Sequence, residues 1–390
     1  MFLFLLLALQ DWTNDKGEWT PPEYPISYWV GPPGNFTTLE RYKEIAEAGF
    51  NIAMPPFDWG DVDRVKTNLQ ILDFCKEAGL KTLIQDKRMW GAVHGKAFKA
   101  EQVDAAIADY SKHPAFLGFY LRDEPGADLF PRLGQTVSYL REKDPKHPAF
   151  INLFPNYASA QQLGTPTYKE HVEKYIQTVR PFVICYDHYH LYKNGTDGGQ
   201  FYSNMELVRK ASLESKIPWW QTVISCGLGN MYRDPTEAEM RYIAMQTLVY
   251  GAKGLMWFTY WQHAKGGPEF LPAIIDKDGN RTKHFEEVKR INAKVKAIGK
   301  FLLTANSELV YHKQKEGVPV RVEGKVDLTI GIFRAPDARY VLITNRDYKA
   351  AVKATYQSER PLQRLVDGQW VRADKTFELA PGGGELFRFE

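Results

Sequence analysis

The chain has 390 residues, 44 % hydrophobic and 25 % charged, with a net charge of +3 and no basic tract. That is ordinary globular composition, and it carries no electrostatic footprint for nucleic acid. The length suits a barrel of about 250–300 residues with a small companion domain.

Met1–Leu9, MFLFLLLAL, is apolar but too short to span a bilayer, so no stable membrane insertion is expected. The stretch fits the remnant of a secretory core. With an arm to residue 20 it points to a secreted, periplasmic or cell-surface protein, without excluding the cytoplasm. Eight strand-like apolar runs follow: Ile26–Val30, Asn51–Pro55, Lys81–Gln85, Phe116–Leu121, Ala149–Leu153, Phe182–Tyr186, Trp219–Ile224 and Gly254–Tyr260. Their starts are about 25–37 residues apart, the length of one strand, its loop and a crossover helix. Helical patterns fill the intervals: Leu39–Ala48, Val62–Ala78, Ala100–Ser111, Leu129–Lys143, Tyr168–Val179, Asn204–Ser215 and Pro235–Tyr250, with a last one over Lys283–Ile298. Thr37 or Thr38 suits the cap of the first, Gly49 and Gly79 act as stop signals, and Asp234-Pro235 reads as the start of the seventh. The alternation predicts an α/β fold, a (β/α)8 TIM barrel over residues 21–305. From 306 to 390 the runs Val320–Glu323, Leu328–Phe333, Tyr340–Thr344, Ala351–Tyr356 and Glu385–Phe389 predict a small antiparallel β-sandwich.

Motifs narrow the chemistry. Gly31-Pro32-Pro33-Gly34 places prolines where a phosphate-binding turn needs amides, so no nucleotide is expected. Cys75, Cys185 and Cys226 are too scattered for a disulfide framework or a thiolate zinc site. No GxSxG elbow surrounds Ser225, and no cofactor is expected.

In a barrel, chemistry sits at the C-terminal ends of the strands. The segment AFLGFYLRDEPG, Ala115–Gly126, ends its strand in Arg122, Asp123 and Glu124, three charges that must be solvated, paired or used. Other strand ends contribute Asp58, Trp59, Asp86, Arg88, Trp90, Asn152, Tyr186, His188, His190, Gln221, Tyr260 and Trp261. Carboxylates and amides bind sugar hydroxyls in pairs and rings stack on sugar faces, so this set suits a carbohydrate substrate. Glycosidic hydrolysis needs an acid and a second carboxylate. Glu124 is the candidate acid. Asp187, two strands on, is the candidate base or nucleophile, with Glu269 after the eighth run as fallback. Asp187, His188 and His190 also offer a metal-dependent alternative, because residues two apart on a strand share a face. No HExxH or Glu-x-x-His pair completes a ligand set, and no metal is expected.

The eightfold count, Arg122-Asp123-Glu124-Pro125 and the segment YGAKGLMWFTYW, Tyr250–Trp261, together resemble the barrel glycoside hydrolases of the large retaining clan. That clan includes β-galactosidases, β-mannanases and cellulases, and the β-galactosidase-like proteins are the best match. LAPGGGELFR, Leu379–Arg388, is similar to their accessory domains. The resemblance implies hydrolysis of a β-linked oligo- or polysaccharide, with Glu124 at the place of the acid/base glutamate. Asp123 stands where the clan carries an asparagine that binds the sugar 2-hydroxyl. The clan's nucleophilic glutamate ends strand seven, where this chain has Pro218-Trp219-Trp220-Gln221-Thr222-Val223-Ile224-Ser225 and no carboxylate. Either another carboxylate takes that role, or water is activated with inversion, or the barrel binds carbohydrate without cleaving it.

Overall fold

The computed structural model describes residues 10–14, 17–56, 64–263, 269–312 and 316–390; Met1–Leu9, Asp58 and Trp59 lie outside them. The chain divides into two compact units, Met1–Asp234 with Gly254–Lys289, and Pro235–Lys253 with Arg290–Glu390.

The first unit holds an eight-stranded parallel sheet. Its strands are β1 (Ile26–Tyr28), β2 (Ile52–Ala53), β3 (Lys81–Ile84), β4 (Phe116–Asp123), β5 (Ala149–Leu153), β6 (Ile184–Asp187), β7 (Trp219–Ile224) and β8 (Leu255–Phe258). Their order, β1-β8-β7-β6-β5-β4-β3-β2, curls the sheet into a nearly closed barrel. The open seam lies between β1 and β2. There β2 is cut to two residues, since Pro55 and Pro56 bring no amide N–H to a ladder. Asn51 closes the seam instead. Its backbone N–H donates to Ile26 O (3.1 Å), its side-chain oxygen accepts from Ile26 N (2.8 Å), and its Nδ2 donates to Tyr24 O (2.9 Å).

Between the strands run α1 (Leu39–Glu47), α2 (Arg64–Ala78), α3 (Lys87–His94), α4 (Ala100–Tyr110), α5 (Phe130–Lys143), α6 (Ala160–Leu163), α7 (Tyr168–Val179) and α8 (Phe201–Ser215). Gly49 and Gly79 follow α1 and α2 at φ 85° and 75°, the left-handed stop that glycine adopts without steric cost. Two helices were not expected. α3 carries Gly91 at its centre and is started by the Asp86 side chain, which accepts from Arg88 N. The four-residue α6 is nucleated by a capping box of Ser159 and Gln162.

The second unit is built on α9 (Glu237–Val249) and strands β9 (Asn306–Tyr311), β10 (Val320–Val322), β11 (Leu328–Arg334), β12 (Arg339–Asn345), β13 (Val352–Ser358), β14 (Leu362–Val366), β15 (Gln369–Arg372), β16 (Thr376–Leu379) and β17 (Gly384–Phe389). Helix α9 starts two residues later than Asp234-Pro235 suggested. Thr236 caps it, accepting from Glu239 N at 3.3 Å while the Glu239 carboxylate accepts from Thr236 N at 2.8 Å. A six-stranded sheet (β15-β14-β17-β12-β11-β9) and a three-stranded one (β10-β13-β16) enclose a core that includes Val320, Ile332, Ile343, Tyr356, Phe377 and Phe387. Lys253 is buried here and donates to the carbonyls of Leu302 and Ala305, where α10 (Lys283–Leu302) ends. Among the described residues no helix is long and apolar enough to cross a membrane.

Candidate active site

Strand β4 is buried from Phe116 to Leu121 and half-buried at its last two residues, Arg122 and Asp123. Successive residues of a strand face opposite ways, so Asp123 and Glu124 would normally part. They do not. Glu124 sits at φ 43°, in the left-handed region that a residue with a side chain rarely occupies, and its N–H donates to Asn152 O at 2.8 Å. This turn brings both carboxyls to the ends of β5 and β6. Asn152 Nδ2 donates to Asp123 Oδ1 (3.0 Å) and to Asp187 Oδ1 (2.9 Å), and the Glu124 carboxyl donates to Asp187. Asn152 and Asp187 are 2 % and 5 % exposed.

Three acidic side chains in one buried cluster cannot all ionise. Burial first, then the charges of Asp187 and Asp123, pushes Glu124 far above the carboxylate range, against a smaller opposing pull from Arg122. Burial and the charge of Asp123 raise Asp187 as well, while its hydrogen bonds from Asn152 and Glu124 hold it below its partner. Burial lifts Asp123 to about 6, moderated by Asn152 and Arg122. Burial and like charge together favour a proton kept on Glu124 and directed at Asp187.

A cavity of about 320 Å³ opens beside Asp123, lined by Gln85, Asp86, Trp90, Tyr120, Leu121, Arg122 and Asp123. The Arg122 guanidinium lies 5.3 Å over the Trp90 ring, and its buried Nε has no hydrogen-bond partner among the described residues. Trp90 is 40 % exposed and its ring sits 3.9 Å from that of His94. Asp86 borders the cavity but is fully engaged. Arg88 grips it through Nε (2.9 Å) and Nη2 (2.8 Å), and the Tyr110 hydroxyl donates to it at 2.7 Å.

On the Asp187 side stand rings outside the expected substrate-binding set, of which the sequence places only Tyr189 at a strand end. The Tyr157 hydroxyl accepts from Tyr189 N at 3.3 Å and donates to Tyr232. Burial and the charge of Asp187 raise the Tyr157 and Tyr189 phenols, which marks both as neighbours of the acidic cluster. Tyr189 packs on Tyr232 (5.8 Å) and Phe258 (5.3 Å). The usable signal was an aromatic in each loop after β5, β6 and β7.

Other expected site residues go elsewhere. Tyr260 donates to Glu44 at 3.3 Å and packs on Tyr28 and Phe50, while Trp261 packs on Phe36 and under Arg41. Gln221 is buried in the middle of β7, opposite Tyr186, whose ring stacks on Trp219. Glu269 is exposed, with its carbonyl accepting from Gly229 N, and the charges acting on Glu124 are those of Asp187, Asp123 and Arg122. The metal alternative is not supported by the ring directions. His188 Nδ1 is bonded to Asn204 Oδ1 at 3.0 Å and His190 stacks on Phe201 at 4.0 Å. Among the described residues no group of three His, Cys, Asp or Glu side chains is arranged to hold a metal ion.

The glycoside hydrolase 42 family, described as β-galactosidase, matches residues 135–298 of the chain. No curated protein matches. Among solved structures, the β-galactosidase of Bacillus circulans sp. alkalophilus superposes with a TM-score of 0.67 at 9 % identity, over 95 % of this chain and 99 % of that one. A catalytic mutant of a family 42 β-galactosidase from G. stearothermophilus gives 0.62 at 9 % identity, over 94 % and 98 %. The cold-adapted β-galactosidase of Rahnella sp. R3 gives 0.57 at 8 % identity, over 94 % and 98 %. The chain thus shares the barrel fold of these β-galactosidases, and the family 42 match falls within it and the segment that follows.

Proposed function

We propose that this protein hydrolyses a glycosidic bond in a β-linked oligo- or polysaccharide, with Glu124 as the general acid. The observation that carries the reading is the Glu124–Asp187 carboxyl pair at the open end of a glycosidase-type barrel. A general acid must hold its proton near neutral pH and stand where a leaving oxygen can take it. Burial and the neighbouring carboxylates supply the first condition, and the adjoining cavity with its exposed Trp90 supplies room for a sugar. The test is Glu124→Gln against a broad glycan and aryl-glycoside panel. Turnover of substrates with poor leaving groups should fall by about 10²–10⁴-fold while sugar affinity persists. Sugar binding with no turnover by the wild-type chain would replace the hydrolase reading with that of a carbohydrate-binding barrel, which the carboxylate-free end of β7 motivates.

A further inference from the structure

Hydrolysis with Glu124 as acid, on which this inference rests, leaves the attacking group unassigned. The end of β7 offers none: Ser225 Oγ donates to Thr259 O at 3.0 Å, and the Cys226 thiol points at Phe258 O. Asp187 does not fill the gap. Carboxyls that flank a sugar ring stand about 5–5.5 Å apart for retention or 6.5–9.5 Å for inversion, whereas Glu124 and Asp187 are hydrogen-bonded to each other. They form one unit on one side of the scissile bond. Among the described residues of the cavity wall Asp86 is taken up by Arg88 and Tyr110, which leaves Asp123, next in sequence to the acid and fixed by Asn152. A carboxylate accepts hydrogen bonds and does not donate. An acid and a fixed acceptor side by side, with no nucleophile opposite them among the described residues, is the arrangement that a nucleophile carried by the substrate requires.

We propose that the substrate is a glycoside of a 2-acetamido-2-deoxy sugar, whose own acetamido oxygen attacks the anomeric carbon. In the first step that oxygen forms a bond to C1 as the C1–O glycosidic bond breaks, and the Glu124 proton passes to the leaving oxygen. Asp123 accepts the acetamido N–H and stabilises the oxazolinium ion that results. In the second step water attacks C1, Glu124 takes its proton, and the C1–oxygen bond of the ring breaks to restore the acetamide. The sum is hydrolysis, with Glu124 reprotonated. Tyr157, Tyr189 and Tyr232 wall the cluster with apolar faces, which limits water around the cyclic intermediate.

The experiment uses the full chain with 4-nitrophenyl 2-acetamido-2-deoxy-β-glucoside and -galactoside, the matching 2-hydroxy glycosides, and N-trifluoroacetyl analogues. The acetamido substrates should be turned over at least about 10-fold faster than the 2-hydroxy ones, and trifluoroacetylation should slow them by a further ~10-fold or more, because fluorine withdraws electrons from the attacking oxygen. Asp123→Asn should lower turnover by about 10²-fold with its thermal midpoint preserved. Cleavage of 2-hydroxy glycosides alone, or insensitivity to fluorine, overturns the inference and leaves glycoside hydrolysis standing. Failure of every glycoside in both sets overturns both.

Discussion

Asp86 and Glu124 follow adjacent strands of one barrel, the first lining the cavity and the second next in sequence to a residue that lines it, yet their carboxyls are held in opposite states. Burial acts upward on both. At Asp86 it is outweighed by Arg88, by the amide of residue 88 and by Tyr110, so the carboxylate is held below its ordinary range. At Glu124 the neighbours are two further carboxyls, and burial is reinforced rather than offset. The difference separates a carboxylate that builds the fold from one held ready for proton transfer. A buried charge whose partners are all supplied within the chain has nothing left to offer a substrate.

The comparison is most directly broken at its two ends. Glu124→Gln should abolish most turnover yet leave the thermal midpoint at pH 8 unchanged or raised, since it removes a group crowded by like charges. A lowered midpoint would show that the carboxyl is structural. Asp86→Ala should do the reverse, costing about 2–3 kcal/mol in urea unfolding through loss of the α3 cap and of the paired Arg88.

Acidity sharpens the contrast. The stability that Asp86 contributes is present above its unfolded pKa of about 3.9 and is lost as pH falls through its lower folded value. The acidic cluster has the opposite sign. Its contribution is complete below the unfolded pKa values of about 4 and fades as pH rises through the folded ones, from about 6 at Asp123 to higher at Glu124. In Asp187→Asn a negative neighbour of Glu124 is gone, so ionising Glu124 becomes easier. The alkaline limb of the pH–rate profile should then move down by about 1 unit; an unmoved limb would assign it to another group. The smallest effect is expected at Trp90→Ala, a ~3–10-fold rise in KM with little change in stability, as the lost ring is a half-open platform.

Much of the barrel was legible because its local and global signals agree. β5, β7 and α7 fall on the expected residues, since apolar runs of strand length are bounded there by proline, glycine or a Thr cap. The misses have physical causes. In β15, Gln369–Arg372, every side chain is at least partly exposed, so a polar QWVR carries no buried face to detect. The site was half legible. Its acids could be placed on strand ends, but their meeting depends on one left-handed residue and one bridging amide, neither of which leaves a period in the sequence. Tyr260 and Trp261 misled for a similar reason. They follow β8 directly, yet they are drawn to Glu44 and Arg41 by contacts more than two hundred residues away in sequence.

The seam at Asn51 has a consequence for how the protein survives in concentrated solution. A closed barrel has no strand edges to offer another chain, and that is its protection against end-to-end sheet growth. Here the last join rests on few bonds: the Asn51 side-chain amide donates and accepts at one end, and Gly31 N donates to Pro55 O at the other, where a two-residue strand supplies too few ladder bonds. Were that amide lost, only the backbone bonds of Asn51 and Gly31 would hold β1 to β2, and the two edges of a buried apolar sheet would part more readily. The cost would appear less as a lower melting point than as clumping during refolding, with the finished molecule spared.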